Sequence, residues 1–520
     1  MGNPHMLRIL KTAVPLALLL ALPLLLRGQT AKEQEAASET VTILSPHSAP
    51  IKEETTGAFL NYYRAKTGRT VRIDWLNVGG TADIVRYIDE RFTTAFRRQW
   101  EAAGKSWTPA VAAAFKSGRQ APNAAEASAR AEFLASNCSI GVDIFFGGGS
   151  FDMNRNAERG YAVSANLEPT VPEYFAQVPV NFSGEMLRHP GGLFYGTCLS
   201  SFGICANFAR LRELGVPVPQ CWEDMASPRL FMEIAAADPT KSGSINKCYE
   251  MIIQQAMQEN LDPAAGWAAG LLRLQRILAN ARIITDSAGH AVREVSSGNA
   301  AAGMAIDFYA AAEAEWSAWQ NGGTPRVGYI PPKNGSAVTC DPVQLLRGAP
   351  NAPAAREFIA FLLSPAGQKL WGFRPGAPGG PAKHALRRSP ILPSMYGEPH
   401  RQHMIDRDYN PYTAAAGFEY KAEYTGSYFA LLRIMIKCAM LDVHPEMQAA
   451  WKALNAAGGP EKVPQAWAEF SRAPITFAEA PDMKKRLSAG GAAALAVRRG
   501  LATSARARFL RARELAEARK

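Results

Sequence analysis

The sequence of 520 residues lacks the short motifs that mark the common enzyme classes. It contains no HExxH zinc motif, no GxSxG nucleophile elbow, no GxxxxGK[ST] phosphate loop and no GxGxxG dinucleotide loop,. A pair of acids that would serve a glycosidase cannot be singled out either. We therefore predict a protein that is not an enzyme, and we keep a periplasmic enzyme or sensor as the alternative from another class.

Paired cysteine motifs are also missing. The seven cysteines include no CxxC and no Cys/His zinc spacing, which argues against a zinc knuckle or a thioredoxin-type site,. An odd number leaves at least one thiol unpaired, and the rest are compatible with disulfides or with buried free thiols. No cofactor is predicted.

The first 30 residues lack acidic side chains. Arg8 and Lys11 precede an uncharged run at 12–26, which is too short to span a bilayer comfortably,. A basic start followed by a short apolar run is typical of a secretory signal. We predict that residues 1–30 are a signal peptide or an uncleaved N-terminal anchor. The protein would then be periplasmic, or held at the inner membrane by that anchor.

The formal net charge of +11 comes from the two ends of the chain. Residues 1–30 carry three basic side chains, and residues 481–520 carry eleven basic against three acidic ones, so the charges of 31–480 cancel. A body with no net charge argues against nucleic-acid binding. The Ala/Arg-rich tail at 481–520 is predicted to be a solvated helix or a disordered extension, and contact with anionic lipid is the open alternative.

From Val41 onward, β-branched and aromatic runs alternate with amphipathic ones, which predicts an α/β protein with parallel strands and crossover helices,. An Ala-rich, polar stretch at 93–136 is predicted to be a helical insertion. The predicted strands are 41–46, 70–78, 140–149, 191–207, 230–238, 301–307, 327–332 and 336–343. The predicted helices are 51–66, 208–215, 354–363 and two that begin at Thr81 and Ile245.

Three segments carry a resemblance to a known family. They lie at 221–255 (beginning CWEDMASPRLF), 298–316 (beginning GNAAAGMAIDF) and 336–371 (beginning SAVTCDPVQLL). Together they are similar to the solute-binding proteins of ABC importers, in the group with ferric-iron-binding and phosphorylated-sugar-binding members. The resemblance covers about residues 40–400. It implies the type II periplasmic-binding-protein fold, in which two α/β lobes joined by hinge strands close around a ligand.

This resemblance implies a division of the chain, with hinge strands near 199–206 and 331–338 and extra helices at the C-terminus. The expected parts are a signal peptide or anchor at 1–30, lobe 1 at 31–202 with its insertion at 93–136, lobe 2 at 203–335, the return to lobe 1 at 336–400, a C-terminal helical region at 401–480 and the basic tail at 481–520.

Candidate ligand-binding residues follow from the rule that ligands meet α/β sheets beyond the carboxyl ends of strands. In lobe 2, Ser242, Gly243 and Ser244 open a predicted helix, whose unpaired N–H groups favour an anion. A simple helix cap at Ser244 is the structural alternative. In lobe 1 the equivalent loops offer small or hydroxyl residues and one histidine, namely Ser45, His47, Gly79, Gly80, Thr81, Gly148 and Gly149.

Asp307 and Tyr309 follow the strand predicted at 301–307. They stand where ferric-binding relatives place adjacent tyrosines, but Phe308 replaces one of the two. Losing a hard oxygen donor argues against a standard iron site, whereas Asp307 would accept hydrogen bonds from a sugar or polyol or cap the next helix. If iron is bound, its candidate ligands are His47 and Tyr309. Asp341 is expected to position the hinge or to touch ligand.

The resemblance and the loops together predict the solute-binding component of an ABC importer. The expected ligand is a small anionic solute, with phosphorylated organic molecules favoured over ferric iron, which is the alternative. The expected partners are this small molecule or ion and an ABC permease in the inner membrane. The protein is expected to be a monomer.

Overall fold

The computed structural model of the protein describes residues 39–116, 124–414 and 417–518. The predicted signal peptide or anchor at 1–30 lies outside these described residues. Within them, no helix is both long and apolar enough to cross a membrane.

Thirteen strands occur in the described part of the chain, most of them where β-branched and aromatic residues cluster,. The two longest are Tyr195–Asn207 and Val338–Leu346, and the next longest are two strands of six residues each. The strands are β1 (Glu39–Leu44), β2 (Val71–Leu76), β3 (Ile144–Phe146), β4 (Ala162–Val163), β5 (Asn181–Phe182), β6 (Glu185–Met186), β7 (Tyr195–Asn207), β8 (Ile234–Ala237), β9 (Ala281–Thr285), β10 (Ala302–Ile306), β11 (Val327–Ile330), β12 (Val338–Leu346) and β13 (Ser389–Pro390).

Helices separate these strands and fill the chain beyond residue 410. The helices that alternate with strands are α1 (Ala49–Thr67), α2 (Thr81–Ala102), α3 (Pro109–Lys116), α4 (Ala124–Ala135), α5 (Ser150–Glu158), α6 (Pro172–Gln177), α7 (Phe208–Glu213), α8 (Trp222–Met225), α9 (Gly243–Glu259), α10 (Pro263–Ala279), α11 (Ala288–Ser296), α12 (Asp307–Gln320), α13 (Ala352–Leu363) and α14 (Pro365–Gly372). The C-terminal helices are α15 (Pro411–Ala414), α16 (Ala422–Thr425), α17 (Phe429–Ile436), α18 (His444–Ala456), α19 (Pro464–Ser471), α20 (Ala480–Ser488) and α21 (Gly491–Glu517).

One long strand, β7, belongs to two sheets. Its first half pairs antiparallel with β12, from Tyr195 opposite Val343 to Ser201 opposite Val338. Its second half pairs antiparallel with β10, from Phe202 opposite Ile306 to Ala206 opposite Ala302, and with β11. The strand order is β2-β1-β3-β12-β7-β10-β8-β9. The change of partner between Ser201 and Phe202 falls within the hinge predicted at 199–206.

We call the part built on β2, β1, β3, β12 and the first half of β7 lobe 1, and the part built on the second half of β7 with β10, β8 and β9 lobe 2. In lobe 1, β1 pairs parallel with β2 and with β3. In lobe 2, β8 pairs parallel with β9 and with β10. The alternation of strands and helices predicts such parallel pairs. The α/β fold class with extra C-terminal helices is therefore confirmed.

The described residues of the stretch at 93–136 are mostly helical and pack directly on lobe 1. Residue 93 lies inside α2, so the helices do not begin as a separate unit at that point. Phe96 and Phe115 stack with ring centroids 5.2 Å apart, and Phe133 meets both rings edge-on. These rings share a buried cluster with Leu44 and other sheet residues. The aromatic side chains thus cover one face of the lobe 1 sheet.

The expectation of a solvated helix or disordered extension at 481–520 is wrong for the described part of that segment. Helix α21 buries Val497, Leu501, Ala505 and Phe509, which recur every four residues and so share one face of the helix,. This face joins the same hydrophobic core as the strands of lobe 2. Helices α17 to α21 are therefore part of lobe 2 by packing, and Phe509 is fully buried among them.

All seven cysteines are free thiols, and six of them are buried. The sequence leaves open disulfides or buried free thiols, and the structure shows free thiols that are mostly buried.

Candidate ligand-binding cleft

A cavity of about 1740 Å³ lies between the lobes. Its wall is formed by the ends of strands and the starts of helices in both lobes, and by the C-terminal helices. Ligand pockets commonly measure about 300–1,000 Å³, so this cavity is large even for a ligand-binding cleft.

Nine of the twelve predicted ligand-binding residues lie on this wall. They come from five separate segments of the sequence between His47 and Tyr309, and the fold brings them to one cavity. The nine are His47, Gly80, Thr81, Gly148, Gly149, Ser242, Gly243, Ser244 and Tyr309. Their role in binding stays a prediction.

The loop at Ser242 starts α9 as the sequence predicts. The Ser242 hydroxyl caps the helix by accepting a hydrogen bond from the N–H of Ile245 at 3.3 Å, so the capping residue is Ser242 rather than Ser244,. The hydroxyls of Ser242 and Ser244 lie 3.1 Å apart. The first N–H groups of a helix carry partial positive charge, and these ones line the cavity together with Lys241,. This corner of the cleft is suited to an anion.

A buried charge cluster forms the lobe 1 side of the cleft. His47 Nε2 lies 3.0 Å from Asp341 Oδ2, and an Arg388 guanidinium nitrogen donates to the same oxygen at 2.5 Å. His47 fits here because Gly147 has no side chain, and a Cβ at that position would lie 2.8 Å from the imidazole. Burial alone would raise the pKa of Asp341, but Arg388 and His47 lower it to about 2,. Asp341 is therefore an anion that holds the Arg388 guanidinium and the His47 imidazole in place.

Arg388 also reaches across the cleft. Its guanidinium lies 4.2 Å from the ring centroid of Phe308 in lobe 2, a cation–π distance,. Arg388 is 5 % exposed, and its Nε is buried with no hydrogen-bond partner among the described residues. A buried donor without a partner is costly, by about 1–3 kcal/mol. Arg388 thus brings a fixed positive charge to the cavity wall, while its Nε stays enclosed by protein atoms.

Three predicted residues lie behind the wall instead of on it. The Ser45 hydroxyl accepts the N–H of His47 at 3.2 Å and shapes that loop. Gly79 lies against Asp83, whose carboxylate accepts the N–H of Gly80 at 3.2 Å. The Asp307 carboxylate accepts the N–H groups of Ser201 and Phe308, each at 2.8 Å.

Asp307 therefore fastens the start of α12 to β7 where the strand changes sheets, and it is not among the residues that line the cavity. Burial raises the pKa of Asp307 to about 6, with Ser201 and Arg388 opposing the rise. The Ser201 hydroxyl also meets the hydroxyls of Tyr329 and Tyr409, at 2.8 and 3.0 Å. The sugar or polyol contact expected of Asp307 stays a prediction.

Residues 417–428, which we call the bridge segment, connect the lobes on another side of the cleft. The N–H of Tyr420 donates to the carbonyl of Ser183 in lobe 1 at 2.8 Å, and the Tyr420 hydroxyl donates to Glu250 of α9 at 2.9 Å. A Cβ on Gly184 would lie 1.8 Å from the Tyr420 carbonyl oxygen, so the hairpin β5-β6 accepts the segment only with glycine there.

Lys247 of α9 is the charged centre of this connection. Its ammonium lies 2.5 Å from Glu185 of lobe 1, 2.8 Å from Glu250, and 3.8 Å from the ring centroid of Tyr420. Burial alone would lower the pKa of Lys247, but the two carboxylates raise it above its ordinary value,. The lobes are thus joined by a buried ion pair as well as by β7.

In the described ranges, no three His, Cys, Asp or Glu side chains gather in a way that would hold a metal ion. Of the two candidate iron ligands, His47 is bound to Asp341, and Tyr309 lies on the cavity wall with 39 % of its surface exposed.

Sequence reasoning missed Arg388, Lys247 and the cations of the C-terminal wall. The local signal for Arg388 was the pair Arg387-Arg388, two adjacent arginines in a body whose charges otherwise cancel. Lys247 had no such signal, because its partner Glu185 is 62 positions away in sequence. The remaining cations on the wall are Arg155, Arg293, Arg433, Lys484 and Arg498.

Residues 140–390 match the family of bacterial extracellular solute-binding proteins. This range contains all three segments that carry the resemblance. The resemblance to this family is therefore confirmed over that range.

Among curated proteins, a phosphoglycerate transport regulatory protein of Salmonella typhimurium is 30% identical over 172 residues, which are 33% of this chain and 39% of that protein. An uncharacterised protein of Haemophilus influenzae is 26% identical over 231 residues, 44% of this chain and 60% of that protein. The chain thus spans about two fifths of the length of the first relative.

Solved structures with similar folds include two periplasmic binding proteins. AfuA of Actinobacillus pleuropneumoniae with fructose-6-phosphate is 18% identical, with a TM-score of 0.45 over 73% of this chain and 95% of that one. Iron-bound HitA of Pseudomonas aeruginosa is 16% identical, with a TM-score of 0.48 over 76% of this chain and 98% of that one.

Proposed function

We propose that the protein is the solute-binding component of an ABC importer. It captures a small anionic solute between its lobes by hinge closure and delivers it to a permease in the inner membrane. It acts in the periplasm as a monomer and makes or breaks no covalent bond. Phosphorylated organic molecules are the first candidates for the solute, and phosphoglycerate is a natural probe because the Salmonella relative is named for its transport.

The observation that carries this proposal is the guanidinium of Arg388, which is held in place on the cavity wall. An arginine held by Asp341 and by the ring of Phe308 has a fixed position, so little entropy is lost when an anion binds it,. The N-terminus of α9 adds N–H groups and hydroxyls on the same cavity. Small residues at Gly148 and Gly149 let further backbone N–H groups approach a ligand.

Arg387 provides a matched control for Arg388. It pairs with Glu315 of α12 at 2.8 Å and does not lie on the cavity wall. We expect titration calorimetry of the wild type to show binding of 3-phosphoglycerate and no binding of glycerol. Arg388→Gln should weaken 3-phosphoglycerate binding at least tenfold, because a charged hydrogen bond contributes about 1.5–3 kcal/mol. Arg387→Gln should bind like the wild type.

The proposal would be contradicted if the wild type bound neither 3-phosphoglycerate nor inorganic phosphate. Tight binding of Fe(III) with a phenolate absorbance band that is lost in Tyr309→Phe would replace it with the ferric alternative. Conversion of 3-phosphoglycerate by the purified protein would replace it with the enzyme alternative.

A further inference from the structure

One wall of the cavity comes from outside the family-matched segment. Helices α17, α20 and α21 contribute three cationic side chains to it, Arg433, Lys484 and Arg498. Between them lie apolar side chains, including Leu431, Ile434 and Leu487. No carboxylate from α17, α20 or α21 lines the cavity.

These three cations have no ion-pair partner among the described residues. Arg433 is the innermost of them, because its Nε is buried and makes no hydrogen bond. Its guanidinium lies 5.2 Å from the ring centroid of Phe429. Asp152 of α5 interacts electrostatically with Arg433 and also with Arg155. The carboxylate of Asp152 cannot balance three cations, so this wall has an excess of positive charge.

The same excess holds for the cavity as a whole. The acids Glu185 and Asp341 form ion pairs with Lys247 and with Arg388. The other charged lining residues are six cations and four acids, none of which forms an ion pair with a described residue. The cations are Arg155, Lys241, Arg293, Arg433, Lys484 and Arg498, and the acids are Asp152, Glu158, Glu313 and Glu419.

Resting on the proposed function, we infer that the solute carries two separated anionic groups. One group binds at the family-matched loops around Arg388 and the start of α9, and the second binds at the wall formed by Arg433, Lys484 and Arg498. The ligand class is an elongated organic bis-anion of about the size of a hexose bisphosphate. A single phosphate or triose phosphate would leave most of the 1740 Å³ cavity to water.

Glucose 6-phosphate and glucose 1,6-bisphosphate differ by one phosphate and therefore test the second site. By titration calorimetry at low ionic strength, the wild type should bind the bisphosphate about tenfold more tightly, since three partly exposed charge contacts each contribute modestly. The triple variant Arg433→Gln, Lys484→Gln, Arg498→Gln should bind both sugars alike, and its affinity for the monophosphate should stay within about twofold of the wild type.

A second triple variant controls for net charge. Lys452→Gln, Lys485→Gln, Arg499→Gln removes three charges from the C-terminal helices without touching the cavity wall. It should keep the tenfold preference. Circular dichroism and thermal unfolding of both triple variants should match the wild type.

Equal affinity of the wild type for the two sugars would overturn the inference while leaving the proposed function intact. The same holds if the preference survives in the cavity variant or disappears in the control variant. Failure of both sugars, inorganic phosphate and 3-phosphoglycerate to bind would overturn the proposed function and the inference together.

Discussion

The family-matched segment at 140–390 and the C-terminal region at 417–518 both line the cavity, but they do so with different chemistry. The first supplies glycines, hydroxyls, helix N-termini and one deeply buried arginine. The second supplies long cationic side chains on helix surfaces and the bridge segment. The C-terminal region nevertheless shares a core with lobe 2. A part of the chain outside the family match can thus be integral to both the fold and the site.

The largest expected effect tests whether the C-terminal region is as integral to stability as lobe 1. Phe470 is fully buried against Trp451, Trp467 and Phe509, and Phe358 is equally buried against Phe59 in lobe 1. Each substitution to alanine should lower the free energy of unfolding by about 3–5 kcal/mol. Urea unfolding would measure both losses.

Leu510→Ala is the control for that experiment, because Leu510 on α21 is 43% exposed. It should change the free energy of unfolding by less than about 0.5 kcal/mol. If Phe470→Ala were as mild as this control, the C-terminal region would be an appendage on lobe 2, and the comparison made here would be broken.

A smaller effect tests the bridge segment. Lys247→Met leaves Glu185 and Glu250 buried without their cation, which should cost about 3 kcal/mol in unfolding free energy,. Tyr420→Phe removes the hydroxyl that donates to Glu250 and leaves the ring. A double-mutant cycle should give a coupling energy of about 1 kcal/mol, because Lys247 and Tyr420 meet the same carboxylate. Additive effects would show that the bridge segment does not support the ion pair.

The smallest effect concerns acid and the cluster of Asp341, Arg388 and His47 on the lobe 1 side of the cleft. The pKa of Asp341 is about 2 in the folded protein, below its ordinary value of 3.8. A lowered pKa contributes stability above the unfolded value, and that contribution is lost as pH falls from about 4 to about 2. It amounts to about 2 kcal/mol. The unfolding free energy of Asp341→Asn should therefore fall less steeply over this range than that of the wild type.

Lys247→Met serves as the comparison for Asp341→Asn, because the two variants disrupt different charged clusters beside the cleft. Removal of Lys247 should leave the slope between pH 4 and pH 2 that Asp341 causes. If Asp341→Asn retained the slope of the wild type, Arg388 and His47 would not be holding the carboxylate in its charged form.

The strands, the crossover helices and most cleft loops were predictable because each depends on local pattern. A β-branched run followed by small residues predicts a strand that ends at a loop, and the cavity wall indeed contains His47, Thr81 and Ser244. The buried ion pairs were not predictable in this way. Asp341 lies 294 positions from His47 and 47 from Arg388, and no single-sequence pattern records such a contact.

The packing of the tail at 481–520 against lobe 2 was not predicted, for a different reason. The apolar positions of α21 do recur every four residues, but alanine and arginine fill most of the helix, and Arg508 itself is buried. Its guanidinium donates to Gln275 at 2.9 Å, so a charged residue occupies the buried face. A polar composition therefore concealed a packed helix.

Strand β7 also sets the alternation of side chains in both sheets at once. All of its 13 residues are buried, from Tyr195 in lobe 1 to Asn207 in lobe 2. Successive side chains of a strand point to opposite faces, so one inserted residue at the crossing would exchange the two faces of every later position. Ile204 would then turn away from its packing partners. The length of this strand thus determines which of its side chains face each side of the lobe 2 sheet. A deletion or insertion of one residue at the crossing would change the packing of the strand throughout lobe 2.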